Sequence, residues 1–233
     1  MSGILTLPRP AAVLLDIEGT ISSLPHVVDT HYPYTRKHIA AYLDAHRGEP
    51  AIEKALAETR ALAKPGLGPL EALYKWIDED AKAPPLKLLQ GLVWVSGYQS
   101  GELVGHIYPD AFATLARWRA AGLPLQVFSS GSVQCQTQFF QNCPEGDLSY
   151  LFTRHFDTRV GAKVEAASYG RIAAALRLVP RDILFFSDNP RELQAAQSQG
   201  LVVVQVLREG LGADGRFPAI GSFDEVVLLE AAA

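Results

Sequence analysis

The stretch Ala11-Ala12-Val13-Leu14-Leu15-Asp16-Ile17-Glu18-Gly19-Thr20 joins an uninterrupted apolar run to an acidic cluster. Apolar residues in succession, without polar alternation, fit a strand buried on both faces of a parallel sheet. Asp16 falls at its carboxyl end. The same pattern recurs at Leu125-Gln126-Val127-Phe128 before Ser129-Ser130-Gly131-Ser132, and at Ile183-Leu184-Phe185-Phe186 before Ser187-Asp188-Asn189-Pro190. A fourth run, residues 201–206, ends near Arg208-Glu209-Gly210.

Helical patterns lie between these runs. Residues 111–121 close at Gly122, residues 166–178 close before Pro180, and residues 191–199 close at Gly200, each a recognised stop signal. Strand and helix alternate, so the chain is read as an α/β protein with a doubly wound parallel sheet. Ligands of such sheets bind beyond the carboxyl ends of the strands, where the polar clusters converge.

Residues 21–105 break the alternation. They read as amphipathic helices over 34–46, 51–63, 70–81 and 85–95, separated by Lys64-Pro65-Gly66-Leu67-Gly68-Pro69 and Ala83-Pro84-Pro85. The expected organisation is a catalytic core of residues 1–20 and 106–233, with a helical cap of residues 21–105 inserted after the first strand to exclude water from the site.

The chain has 233 residues, 48% of them hydrophobic and 20% charged, enough for a sizeable core. Its formal net charge of −4 supplies no basic footprint, so neither nucleic acid nor an anionic membrane is an expected partner. No basic-then-apolar leader occupies residues 1–10, and no apolar run nears the length of a membrane span. A cytoplasmic location is expected. Cys135 and Cys143, eight apart, match neither a redox pair nor a zinc pattern and read as buried thiols. The histidines lack zinc-site spacing, whereas Trp76 and Trp94 fall in helical patterns and read as core.

Each polar cluster has a chemical and a bland reading. Asp16 and Glu18, two apart, face one side if the strand continues through them. An aspartate, deprotonated at neutral pH, can attack phosphorus directly and divide a hydrolysis into two easier steps. Glu18 could protonate the leaving oxygen and then activate water, provided its pKa is raised. The bland reading is a helix cap and a solvated turn residue. Attack on a phosphate dianion is opposed by like charge, on the order of 4 kcal/mol per unit pair at 4 Å. Lys163 could neutralise it, although a lone lysine is usually at the surface.

Asp188, with Asp16, offers hard oxygen ligands of the kind Mg²⁺ takes, or else Ser187-Asp188-Asn189-Pro190 is an N-capping turn with Pro190 at the first helical position and Glu192 in the first turn. Ser129, Ser130 and Gly131 precede a helix over 133–140, where hydroxyls and amides can hold a phosphate, or simply cap. Four such features arriving in order at strand ends make chance the poorer account. The expected partner is a small phosphorylated molecule.

In that order and chemistry the residues resemble the haloacid dehalogenase superfamily, whose phosphatases carry DxDxT, a Ser/Thr, a Lys and an acidic loop. Glu18 in place of the second Asp makes the DxEGT run similar to the acireductone synthase branch, the enolase-phosphatases of methionine salvage. Tyr32-Pro33-Tyr34, Leu89-Gln90-Gly91-Leu92-Val93-Trp94, Gly97-Tyr98-Gln99-Ser100-Gly101-Glu102, Gly105-His106-Ile107-Tyr108 and Ala166-Ala167-Ser168-Tyr169 fit the same branch. Ile21 to His26 and Asn189-Pro190-Arg191 depart from its usual residues.

The resemblance implies a Rossmann-like core and a monomeric, Mg²⁺-dependent enzyme. It would enolise 2,3-diketo-5-methylthiopentyl-1-phosphate and then remove its phosphate to leave the acireductone. It also implies roles: Asp16 as nucleophile and metal ligand, Glu18 as acid/base with its carbonyl on the metal, Asp188 as metal ligand. Ser129, Ser130 and Gly131 would hold substrate or phosphate, and Lys163 would bridge nucleophile and phosphate. His106 and Tyr98 are candidates for substrate contact or for packing. A relative acting on another small phosphoester, and a phospho-ligand-binding module without turnover, stay open as alternatives.

Overall fold

The computed structural model describes residues 3–208 and 210–229; Met1 and Ser2 of the leader reading, and Glu209 at the end of the fourth apolar run, lie outside them. The described residues divide into two compact units, those up to Leu24 together with those from Gly105 onward, and residues 25–104.

The larger unit is built on a six-stranded, wholly parallel sheet in the order β4-β3-β2-β5-β6-β7. The strands are β2 (Ala12–Leu15), β3 (Leu125–Phe128), β4 (Arg154–Phe156), β5 (Ile183–Ser187), β6 (Val202–Val206) and β7 (Ala219–Ile220). β2, β3 and β5 are buried at every position, which is why their sequences are apolar but for the buried Gln126 of β3 and Ser187 at the end of β5. The helices α6 (Pro109–Ala120), α7 (Val133–Gln141), α8 (Ala166–Leu176) and α9 (Pro190–Ser198) connect the strands. Tyr169 and Ile172 of α8 and Leu193 and Ala196 of α9 pack with Leu14, Phe128, Phe185 and Val203 of the sheet in one apolar cluster.

Strand order reverses direction between β2 and β5: β3 and β4 lie to one side of β2, and β5, β6 and β7 to the other. Such a switch point opens a crevice at the carboxyl ends. Asp16, Ser129 and Asp188 each follow the end of one of the three adjacent strands β2, β3 and β5. Among the described residues, four strands escape the apolar-run reading. β4 carries Arg154 and His155 at a sheet edge, β7 has only two residues, and β1 (Leu5–Pro8) pairs with β8 (Val226–Leu229) in a separate two-stranded sheet. Residues 21–24 are tied to the larger unit through Ile21, whose amide donates to Ile17 and whose carbonyl accepts from Tyr108.

The smaller unit is helical: α2 (Tyr32–Ala45), α3 (Pro50–Leu62), α4 (Pro69–Asp78) and α5 (Pro84–Ser100), preceded by the single turn α1 (Leu24–His26) and a π-helical turn, Val27–His31. Proline stands at the first or second position of each of these four helices, where its missing N–H costs nothing. Ile39, Ile52, Ala55, Leu73, Leu86, Leu89 and Val93 form its own core, with Trp76 packed against it. The Trp94 indole donates to Thr35 Oγ1 at 2.7 Å and to the His31 carbonyl at 3.0 Å. Tyr98 is fully buried against His31, its hydroxyl bonded to the imidazole Nε2. Of its two sequence readings, the structure carries packing. Among the described residues no helix is long and apolar enough to cross a membrane.

Candidate active site

β2 ends at Leu15, one residue before the acidic pair, so strand alternation does not bring Asp16 and Glu18 together. A turn does. The amides of Thr20, Ile21 and Ser22 all donate to the Ile17 carbonyl, and Gly19 donates to Ser22. Gly19 sits at φ +76°, a left-handed conformation that suits glycine, and a Cβ there would stand 2.5 Å from Asp188 Oδ2. The turn thereby carries the backbone beside Asp188 and lets the Glu18 carboxylate accept from Ser129 Oγ at 3.3 Å.

Asp16 is buried, with Oδ1 accepting from the Ile17 amide at 2.7 Å and from the Lys163 ammonium in direct contact. Ser187 Oγ stands 3.4 Å from its Oδ2. The surface reading of Lys163 is excluded, since its side chain is only 10% exposed. Its Nζ also lies 2.8 Å from Glu192 Oε2, and the Tyr169 hydroxyl donates to its carbonyl at 2.7 Å, fixing the loop that bears it. Burial disfavours the ammonium, but Asp16 and Glu192 outweigh that and hold the Lys163 pKa above its ordinary value.

The other carboxyls are pushed the opposite way. Burial, then the charge of Asp16, raises Glu18 above the usual carboxylate range. The same two causes bring Asp188 to about 6 and Glu192 to about 7. Groups so perturbed within one crevice mark a functional site.

Asp188 does not serve as the cap of α9. That position is Asn189, whose side chain accepts from the Arg191 amide. Asp188 is held through its own amide, which donates to Thr20 Oγ1 at 3.0 Å, so the first and last acidic loops are latched together. Asp16 and Asp188 are hard oxygen donors, and the charge of Asp16 adds to the cost of charging Asp188, a set that fits a small divalent cation. Among the described residues no group of three or more His, Cys, Asp or Glu side chains forms a metal cluster.

The serine loop divides. Ser129 is buried and bonded to Glu18, and its Oγ accepts from the Gly131 amide at 3.2 Å. Ser130 is exposed and Gly131 half-buried. Ser132 caps α7, accepting from the Cys135 amide. Cys135 and Cys143 are free and buried, each thiol pushed up to about 12 by burial first. His106 Nδ1 accepts from the Ser23 amide at 3.1 Å and pairs with Ser22 Oγ at 3.3 Å, which gives it a role in holding the turn after Thr20.

Glu192 is the functional group that sequence reasoning treated only as a first-turn acid. Its signal was faint: it shares the buried face of α9 with Leu193, Ala195 and Ala196, where an unpaired acid would be costly. Ser187 Oγ and Asn189 Nδ2 donate to it at 3.0 and 3.2 Å.

Comparison with known proteins agrees with this arrangement. A haloacid dehalogenase-like hydrolase family model matches residues 10–200. An enolase-phosphatase E1 of Bradyrhizobium sp. strain BTAi1 is 54% identical, covering 93% of this chain and 94% of the relative. One from Pseudomonas aeruginosa strain UCBPP-PA14 is 45% identical, covering 93% and 98%. The crystal structure of the UTR4 protein of Saccharomyces cerevisiae superposes with a TM-score of 0.74 at 29% identity, covering 92% of this chain and 99% of that one. A parallel switch-point sheet, an aspartate paired with a buried lysine, and identity of this extent over nearly the full length lead to one assignment: the chain belongs to the haloacid dehalogenase-like hydrolases and, within them, to the enolase-phosphatases.

Proposed function

We propose that the chain converts 2,3-diketo-5-methylthiopentyl-1-phosphate to the acireductone and phosphate, by enolisation followed by phosphate transfer to Asp16. The observation that carries this reading is the buried Lys163 ammonium bridging Asp16 and Glu192, beside a Glu18 whose pKa is raised by burial and by the charge of Asp16.

In the transfer step a carboxylate oxygen of Asp16 forms a bond to phosphorus as the bond to the leaving oxygen breaks. Protonated Glu18 gives its proton to that oxygen, which leaves neutral. Glu18, now a carboxylate, takes a proton from the water that attacks the aspartyl-phosphate. Phosphate departs, and both carboxyls return to their starting states. Lys163 holds the nucleophile and offsets the charge of the phosphate, and Ser129 keeps Glu18 oriented. Ser130 and the Gly131 backbone, on the open side of the loop, are suited to hold phosphate oxygens.

Mg²⁺ fits the donor set, with Asp16, Asp188 and the Glu18 carbonyl as its ligands, and when bound it supplies further neutralisation of nucleophile and phosphate. A monomeric, cytoplasmic enzyme completes the proposal; it rests on the family resemblance, and sedimentation of the purified chain tests the monomer.

Purified protein with Mg²⁺ should release phosphate from the diketo phosphate and build the absorbance of an enediol, and Asp16→Asn should do neither. Failure of the wild-type protein on this substrate, with faster turnover of another phosphoester, would assign it a different metabolite.

A further inference from the structure

Arg208 lies just past β6, outside every motif of the site, and its side chain is only 9% exposed. Its guanidinium makes three separate bonds. Nη2 pairs with Asp110 Oδ2 at 2.9 Å, Nη1 donates to the Gly221 carbonyl at 3.3 Å, and Nε donates to the Thr20 carbonyl at 3.2 Å. The group stacks 4.1 Å from the Tyr108 ring centroid, with Phe223 beyond it at 5.8 Å. Asp110 is itself fixed by Ser222 Oγ and the Phe223 amide.

An ion pair serving stability alone needs only the Asp110 arm. The Nε arm instead reaches the peptide of Thr20, a fully buried residue whose hydroxyl receives the Asp188 amide. Gln205, on the same strand as the approach to Arg208, donates to the Asp188 carbonyl at 3.4 Å. Thr20 is therefore held from both ends: its carbonyl by Arg208 and its hydroxyl by the loop of Asp188. A planar guanidinium presents its donors in a fixed fork, so stacking on Tyr108 and pairing with Asp110 determine where Nε points.

We propose that Arg208 is a positioning residue that sets the separation of the Asp16 and Asp188 carboxylates through Thr20, and so sets the affinity of the site for a divalent cation. The inference rests on the metal-dependent reading above. Groups that orient metal ligands from behind commonly change affinity by about 10- to 100-fold when removed.

Arg208→Lys is the informative variant, since it keeps a cation near Asp110 and loses the fork that serves Thr20. Ser222→Ala is its control, removing a neighbouring bond to Asp110 while leaving the Thr20 carbonyl held. Mg²⁺ alone is titrated into each protein calorimetrically, and phosphate release is then followed against Mg²⁺ concentration. The expected result is a Kd for Mg²⁺ raised about tenfold or more in Arg208→Lys, with kcat recovered at saturating Mg²⁺, and Ser222→Ala binding like wild type. Wild-type affinity in Arg208→Lys overturns the proposal. So does an equal loss in Ser222→Ala, or failure of Arg208→Lys to fold, because either makes the network a scaffold only. A wild-type protein that binds no Mg²⁺ refutes the metal-dependent reading itself, which separates the two failures.

Discussion

Replacing Lys163 by Met removes the cation between Asp16 and Glu192 while keeping an unbranched side chain of similar length. At the 2.8 Å separation from Glu192, and with an effective dielectric near 20, one such pair corresponds to about 6 kcal/mol of attraction, most of it offset by desolvation. The buried carboxyls respond by taking up protons, so the variant should fold with modest loss at low pH and larger loss as pH rises. Catalysis suffers differently. The like-charge opposition between Asp16 and an incoming phosphate, on the order of 4 kcal/mol at 4 Å, is no longer offset by the lysine. At 1.36 kcal/mol per decade that is about a thousandfold in kcat. Phosphate release under saturating substrate and Mg²⁺, with circular dichroism to verify the fold, measures it. A folded Lys163→Met protein within tenfold of wild-type kcat would refute the charge argument for the site.

The remaining expectations concern neighbouring parts of the molecule. Gly19→Ala combines a positive φ with a Cβ driven into Asp188 Oδ2; it should cost about 1–3 kcal/mol in denaturant unfolding and weaken Mg²⁺ binding, and unchanged binding would contradict the close approach. Asn189→Ala removes the α9 cap and a donor to Glu192, so a loss of about 1 kcal/mol is expected, read as a lowered Tm. Burial, then the charge of His26, lowers His31 to about 4 from 6.5, so the unfolded chain takes up more protons between those values. That contribution to stability is present above pH 6.5 and lost toward pH 4, amounting to about 2 kcal/mol between pH 7 and pH 5. Urea unfolding at the two pH values should show a smaller difference in His31→Phe than in wild type. Protonation of Asp188 near pH 6 competes with a cation, so Mg²⁺ affinity should fall as pH drops through that value, which calorimetry in matched buffers would detect.

How much of this was legible in the sequence depends on the range of the interactions. β2, β3 and β5 could be read because burial on both faces leaves an apolar run, and the turn that halts each run is where the chemistry sits. β4 could not: an edge strand with an exposed Arg154 and a half-buried His155 shows no apolar signature. Asp16 and Lys163 were legible as residue types in order, but their contact spans much of the chain and only folding reveals that the lysine is buried. Glu192 was visible as a helix-start acid, and its place on the apolar face of α9, the one faint local hint, does not reveal that it grips a lysine on another loop. The assumption that strand alternation would align Asp16 with Glu18 gave the right neighbourhood by the wrong geometry, since β2 stops before either residue and a glycine turn completes the approach.

The electrostatics of the crevice connect these residues to one another. The carboxyls of Asp16, Glu18, Asp188 and Glu192 outnumber the ammonium of Lys163, and burial makes every uncompensated charge costly. Two remedies are open to such a site: keep a proton on one carboxyl, or admit another cation. Hydrolysis by way of an aspartyl-phosphate needs both, a proton at hand for the leaving oxygen and positive charge to admit a phosphate dianion. Glu18, raised by burial and by Asp16, is the group on which a held proton is chemically useful, because Lys163 pins the Asp16 carboxylate in place. In the proposed mechanism two carboxyls only two residues apart therefore take opposite parts, Asp16 as nucleophile and Glu18, with its raised pKa, as acid. Removing the charge of Asp16 relieves one of the two causes that raise Glu18. Asp16→Asn should therefore lower the Glu18 pKa as well as abolish phosphate transfer, and carboxyl resonances of the variant followed by NMR across pH 4 to 8 would show whether the coupling exists.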